Sequence, residues 1–233
     1  QAVSRGLGDV YKRQTQRCNM SGKLIVVEGI EGAGKTSIVE RIITWLKEVQ
    51  GIEALTFREP GSTPIGEAVR TLIKHPDSDI SVETQTELLW LARRRLLVDV
   101  VQPLLDDGKW VILDRYWMST LAYQWDYYSS QPLHPVIEEI ANTYQRPDFM
   151  FYLDVSPKVA KKRCTSGAGR GDVADKNDDA PLSTFTMWHR RYGEIISAYD
   201  KVMGDDNKTL IINADQTFSM VADDVIFALN QSI

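Results

Sequence analysis

Cysteine is scarce in this chain: Cys18 and Cys164 are the only two among 233 residues, and they stand far apart. That spacing argues against a disulfide framework or a zinc site and fits a reducing compartment. Long apolar runs are missing too, none approaching the ~20 residues that a membrane helix needs. Nor is there an excess of positive charge. The net charge of −5 argues against a general nucleic-acid binder, which has to neutralise many phosphates. Internal repeats and low-complexity tracts are lacking as well. These absences imply a cytoplasmic protein with no membrane or nucleic-acid partner, a nuclear or organellar location being the other options. Residues 1–19 have no apolar periodicity and read as an extension, tag or gene-model remnant ahead of Met20, with a basic transit peptide as the rival. The whole chain is 43% hydrophobic and 25% charged, and the remainder, 20–233, is of a length ordinary for one α/β domain.

What is present begins with Ile25-Val26-Val27-Glu28 running into Gly29-Ile30-Glu31-Gly32-Ala33-Gly34-Lys35-Thr36-Ser37. A β-branched run, a glycine-rich turn closing on Gly-Lys-Thr and a helical pattern behind it make a P-loop, which wraps nucleotide phosphates. The glycines let backbone N–H groups converge on phosphate oxygens, and the helix that follows adds its dipole. Lys35 suits the β- and γ-phosphates of ATP, and the Thr36 hydroxyl suits Mg²⁺. Such a loop says that a triphosphate is held, not what is done with it.

The chain then alternates strand and helix. Ile38, Ile42, Trp45, Leu46 and Val49 recur at helical spacing up to Gly51. The pattern predicts strands at Glu53–Phe57, Trp110–Leu113, Phe149–Asp154 and Thr209–Asn213. Helices are expected over Pro64–Lys74, Val82–Asp107 with a kink or restart at Pro103, Ser119–Tyr128 and Pro135–Tyr144. Further helices are expected from Pro157 behind a Ser156 cap, over Leu182–Met203 and over Phe218–Leu229. Residues 165–181, rich in Gly, Asp, Ser and Asn, read as a mobile loop. The implied fold is α/β: one parallel sheet of about five strands with helices on both faces. Ligands in such sheets bind at the strands' C-terminal ends, where Glu31, Arg58-Glu59-Pro60 and Asp114-Arg115 all fall.

Asp114 closes a buried strand as a Mg²⁺-holding carboxylate does, an ordinary polar strand end being the alternative. Arg115 offers a planar fork to two oxygens of a transferring phosphoryl group, or a surface ion pair. Trp90 and Arg94 lie one helical turn apart and would stack on a base and clamp a phosphate; core packing explains such a Trp equally well. Ser119 with Tyr123 and Thr120 with Gln124 form further one-turn pairs, and the Gln124 carboxamide carries the donor and acceptor needed to read a base edge.

Taken together, Glu28-Gly-Ile-Glu-Gly-Ala-Gly-Lys-Thr36, Arg58-Glu-Pro-Gly-Ser-Thr63, and Asp114-Arg-Tyr116 followed by Ser119-Thr-Leu-Ala-Tyr-Gln124 resemble the thymidylate kinases, in particular their bacterial-type members. The likeness runs from about Lys23 to the C-terminus. It implies a P-loop nucleoside monophosphate kinase fold with a short mobile lid, a homodimer, and transfer of the γ-phosphoryl of MgATP to dTMP, giving dTDP and ADP. By position it puts Glu31 near the deoxyribose 3′-hydroxyl and Arg70 on the monophosphate. Trp90 takes the place of a Phe that stacks on thymine, Tyr123 crowds the 2′ position and Gln124 reads the thymine edge. Pro60, Ser119 and Thr120 fall in the acceptor-side stretches, and Glu59 and Asp114 match Mg²⁺-side carboxylates.

The chain departs from the family's pattern in three places. The run from the substrate arginine to Pro103 is one residue short if Arg94 is the match, whereas Arg93 keeps the run but puts Leu89 at the ring; Arg94 is preferred. In the lid, Lys176 stands where an Arg is usual, and Arg163 to Gly171 does not align cleanly, with Arg170 there a second candidate cation. Gly32 occupies the position that carries Arg in kinases with a P-loop arginine, so the lid should supply that charge. The alternatives to dTMP kinase are another nucleoside monophosphate or deoxynucleoside kinase, and a P-loop ATPase switch read by a partner protein.

Overall fold

The computed structural model describes residues 22–75, 77–166, 180–204 and 208–231. The N-terminal extension, the Met20 start and the lid candidates Arg170 and Lys176 lie outside the described residues.

Five parallel strands form the sheet: β1 (Leu24–Glu28), β2 (Ala54–Arg58), β3 (Trp110–Asp114), β4 (Phe149–Asp154) and β5 (Leu210–Asn213), in the order β2-β3-β1-β4-β5. Every residue of β1 and β3 is buried, so the centre of the sheet is covered on both faces, as a parallel sheet requires. The edge strands β2 and β5 keep exposed positions. The helices are α1 (Lys35–Val49), α2 (Pro64–Lys74), α3 (Val82–Leu96), α4 (Gln102–Asp106), α5 (Trp117–Tyr123), α6 (Trp125–Tyr128), α7 (Leu133–Thr143), α8 (Pro157–Thr165), α9 (Leu182–Met203) and α10 (Phe218–Asn230). One core joins Val26, Ile42, Leu113, Tyr116, Phe151, Phe185, Tyr192 and Tyr199, among others. β1 sits in the middle, where the chain steps first to one side and then to the other, so the P-loop behind it opens at the sheet's switch point. Among the described residues no helix is long and apolar enough to cross a membrane.

Most expected elements are present, with ends shifted by a residue or two. Three differences have physical causes. The kink or restart expected at Pro103 is a restart, with α4 beginning at Gln102 and Pro103 in its first turn, but an unexpected π turn over Leu97–Val101 links it to α3. Proline has no N–H to give and its ring presses on the carbonyl four residues back; the wider turn ahead of it relieves that conflict. The helix expected over Ser119–Tyr128 begins at Trp117 and breaks at Gln124, splitting into α5 and α6. Ser156 does not cap α8 with its side chain; its N–H donates instead to Asp215 Oδ1 at 2.8 Å.

Candidate active site

The P-loop turns on Gly32 (φ 74°) and Gly34 (φ 89°), left-handed positions that a side chain resists. At Gly32 space is closed as well. A Cβ there would lie 2.4 Å from the Ala160 carbonyl of α8, which explains sterically why no arginine stands at this place. Gly34 occupies the N-cap of α1 without a side-chain cap, leaving the first amides of that helix for an anion. Lys35 is buried and donates to the Ile30 carbonyl at 2.9 Å across the loop. Burial and then the nearby Arg115 charge push its ammonium below the usual lysine range.

Thr36 Oγ1 donates to Asp114 Oδ2 at 2.9 Å, bringing together two of the three expected metal-side groups. Glu59 is elsewhere. Its Oε2 meets Arg93 Nε at 2.6 Å in a pair where both side chains are buried. Burial pushes the Glu59 carboxyl up to about 7, against the pull of Arg93 and with a further push from Glu28. Among the described residues no three acidic, His or Cys groups gather to hold a metal alone. A hydroxyl beside one carboxylate fits Mg²⁺ that takes its remaining ligands from nucleotide phosphate and water.

Arg115 follows β3 in a left-handed conformation (φ 75°), rare for a side-chain-bearing residue and typical of functional positions. Its Nη1 donates to Gly29 O at 3.1 Å and Ser119 Oγ at 3.0 Å, and its Nη2 pairs with Glu31 Oε1 at 2.8 Å. The Tyr123 ring lies under the guanidinium at 5.3 Å, and the Tyr123 hydroxyl accepts from the Glu31 N–H at 3.2 Å. Burial acts to raise the Glu31 carboxyl, but Arg115, Lys35, Lys74 and Arg70 outweigh it and hold it at about 2. Glu31 is therefore ionised and faces cations on both sides: Arg115 and Lys35 by the P-loop, Arg70 and Lys74 from α2. Arg70 also donates to the Pro60 carbonyl at 3.2 Å.

Of the base-side candidates, Gln124 is buried. Trp90 is half-buried, stacks on Tyr144 at 5.1 Å and donates its N–H to Tyr128 at 2.6 Å. The arginine over its ring, 4.6 Å away, is Arg93. Arg93 Nη2 also donates to Tyr116 O and Thr120 Oγ1, each at 3.0 Å, which places Thr120 in that pair's shell, whereas Arg94 is exposed. The expected pairing of Trp90 with Arg94 is thus made by the neighbouring arginine. Sequence reading also passed over Glu28, Lys74, Trp188 and Tyr192. Lys74 had a local signal, one helical turn after Arg70, and Glu28 directly precedes the P-loop; Trp188 and Tyr192 meet the site only through the fold.

The family model described as thymidylate kinase matches residues 27–225. A thymidylate kinase of Shewanella sp. (strain MR-4) is 34% identical over 214 residues, covering 90% of this chain and 96% of that protein. One of Alteromonas mediterranea is 37% identical over 209 residues, 89% of each chain, and one of Vibrio vulnificus (strain YJ016) 35% over 211 residues, 89% and 94%.

Proposed function

The chain belongs to the thymidylate kinase family, and from that premise and the site's geometry we propose that it transfers the γ-phosphoryl of MgATP to dTMP, giving dTDP and ADP. A phosphate oxygen of dTMP attacks the γ-phosphorus in line while its bond to the β,γ-bridging oxygen breaks, and ADP leaves. No covalent enzyme intermediate is needed; the protein positions the reactants and neutralises charge. The P-loop amides of residues 29–37 take the ATP phosphates. Lys35 and Arg115 neutralise the oxygens of the transferring group. Mg²⁺, held from Thr36 and Asp114, would add charge neutralisation between the nucleotide phosphates.

On the acceptor side Arg70 takes the monophosphate with Lys74 behind it, Glu31 faces the sugar's 3′-hydroxyl, Tyr123 flanks the ring and Gln124 reads the thymine edge. Arg170 or Lys176 in the 165–181 lid supplies the last positive charge. Residues 20–233 act as one kinase domain in the cytoplasm. The exposed apolar side chains Leu72, Leu91 and Val98 support a homodimer that would cover them. One observation carries the reading: Arg115 and Glu31 are paired between the P-loop and the Arg70 face, joining a donor site to an acceptor site. A nucleotide switch would leave Arg70 and Gln124 without a task. ADP release from ATP should be slow alone and rise on adding dTMP; release independent of any acceptor would sink the proposal.

A further inference from the structure

Behind Arg115 lies a buried carboxylate that the reaction does not touch. Glu28, the last residue of β1, is completely buried. Its Oε1 accepts from the Tyr116 N–H at 2.8 Å and the Ser119 N–H at 3.1 Å. Its Oε2 accepts from the Ser119 hydroxyl at 2.7 Å and the Tyr192 hydroxyl at 2.9 Å, and those two hydroxyls lie 2.8 Å apart. Tyr116 is the N-cap of α5 and makes no side-chain cap of its own. A residue from another strand therefore satisfies the amides that a local capping side chain would serve.

The same contacts hold Arg115 at both ends. Its left-handed backbone is fixed between two hydrogen bonds, its own N–H to Val27 O at 3.0 Å and the next N–H, of Tyr116, to Glu28. Its guanidinium is oriented by Ser119 Oγ, whose proton is committed to Glu28, so that the oxygen faces Arg115 as an acceptor. Tyr192 brings α9 to the same carboxylate, and two neighbours extend this contact: Trp188 packs on Tyr123 at 4.7 Å and Arg191 donates to Ala122 O at 3.2 Å. The geometry points to Glu28 as a positioning residue that sets the Arg115 guanidinium through Tyr116 and Ser119, with Tyr192 as its brace. This rests on Arg115 being the group that meets the transferring phosphoryl.

Steady-state kinetics of Glu28→Gln and Ser119→Ala test it, each alone and combined with Arg115→Ala, with circular dichroism confirming the fold. Gln keeps acceptors for the two amides but turns a donor toward Ser119, which spoils the orientation of that hydroxyl. Each single change should lower kcat ~10- to 100-fold, as a misplaced catalytic group does, with both KM values within about threefold. In the Arg115→Ala background each should cost less than about twofold more, because the group they position is gone. Losses that multiply fully in that background, or an unchanged kcat in folded protein, overturn the proposal. Should Glu28→Gln fail to fold, Ser119→Ala, which deletes one hydroxyl, decides the matter. Failure of the wild-type protein to phosphorylate dTMP would instead refute the functional reading itself; transfer by wild type with multiplicative losses would refute only the role of Glu28.

Discussion

Replacing Arg93 by Met keeps the apolar stem and removes the charge from a site that is nearly closed to water. Arg93 is 3% exposed and its partners Glu59, Tyr116 and Thr120 are buried with it. Two losses follow. The Tyr116 carbonyl and the Thr120 hydroxyl lose a buried donor at 3.0 Å, and leaving such groups unpaired costs about 2–3 kcal/mol in all. Glu59 then loses the one cation that pulls its carboxyl down, so a group already raised to about 7 rises further. A raised carboxyl means that folding takes up a proton. Stability from this group is full below about 4.5 and falls as pH rises through about 7, and in the variant it keeps falling beyond. The added penalty is absent at pH 5 and about 1.4 kcal/mol at pH 8. Urea unfolding at the two pH values, followed by tryptophan fluorescence, should give about 2–3 kcal/mol of destabilisation at pH 5 and about 4 at pH 8, in line with breaking a buried ion pair. Arg94→Ala, one residue on but exposed, should stay within about 0.5 kcal/mol. A cost below about 1 kcal/mol for Arg93→Met at both pH values, or an equal cost for Arg94→Ala, would refute the assignment.

Three other changes are as specific. Arg115→Ala should lower kcat by about 100-fold or more with the fold intact by circular dichroism; turnover within about threefold of wild type would remove Arg115 from the phosphoryl group. Glu31, held at about 2, contributes stability that is present above about 4.5 and lost as pH falls toward 2. Glu31→Gln should therefore be less stable than wild type at pH 7, and the gap in urea midpoint should close near pH 2. Gly32→Ala puts a methyl 2.4 Å from the Ala160 carbonyl at a φ of 74°; melting should drop by roughly 5 °C and ATP affinity should weaken.

The parts of the site that lie along the chain could be read from it. The P-loop pairs residue types with a spacing that points to phosphate binding, and Asp114-Arg115 falls at a strand's C-terminal end, whereas Arg70 was marked only by the family resemblance. What could not be read depends on contacts between distant segments. Three arginines stand in a row at 93–95, and neighbouring residues on a helix differ in direction by about 100°. Which of them is buried is settled by Glu59 arriving from the loop after β2, whose carboxylate pairs with Arg93. The start of α5 was misplaced because its capping group is Glu28, in another strand, where no local signal exists. The π turn has a sequence trace only in hindsight: Pro103 marks that the helix must yield, not where.

The most direct measurement follows labelled γ-phosphate from ATP into a panel of nucleoside monophosphates supplied one at a time with Mg²⁺. Label should appear in dTDP, with far less in the other diphosphates and little as inorganic phosphate while dTMP is present. Label released as inorganic phosphate at the same rate whatever the acceptor, or carried preferentially onto a base other than thymine, would contradict the assignment.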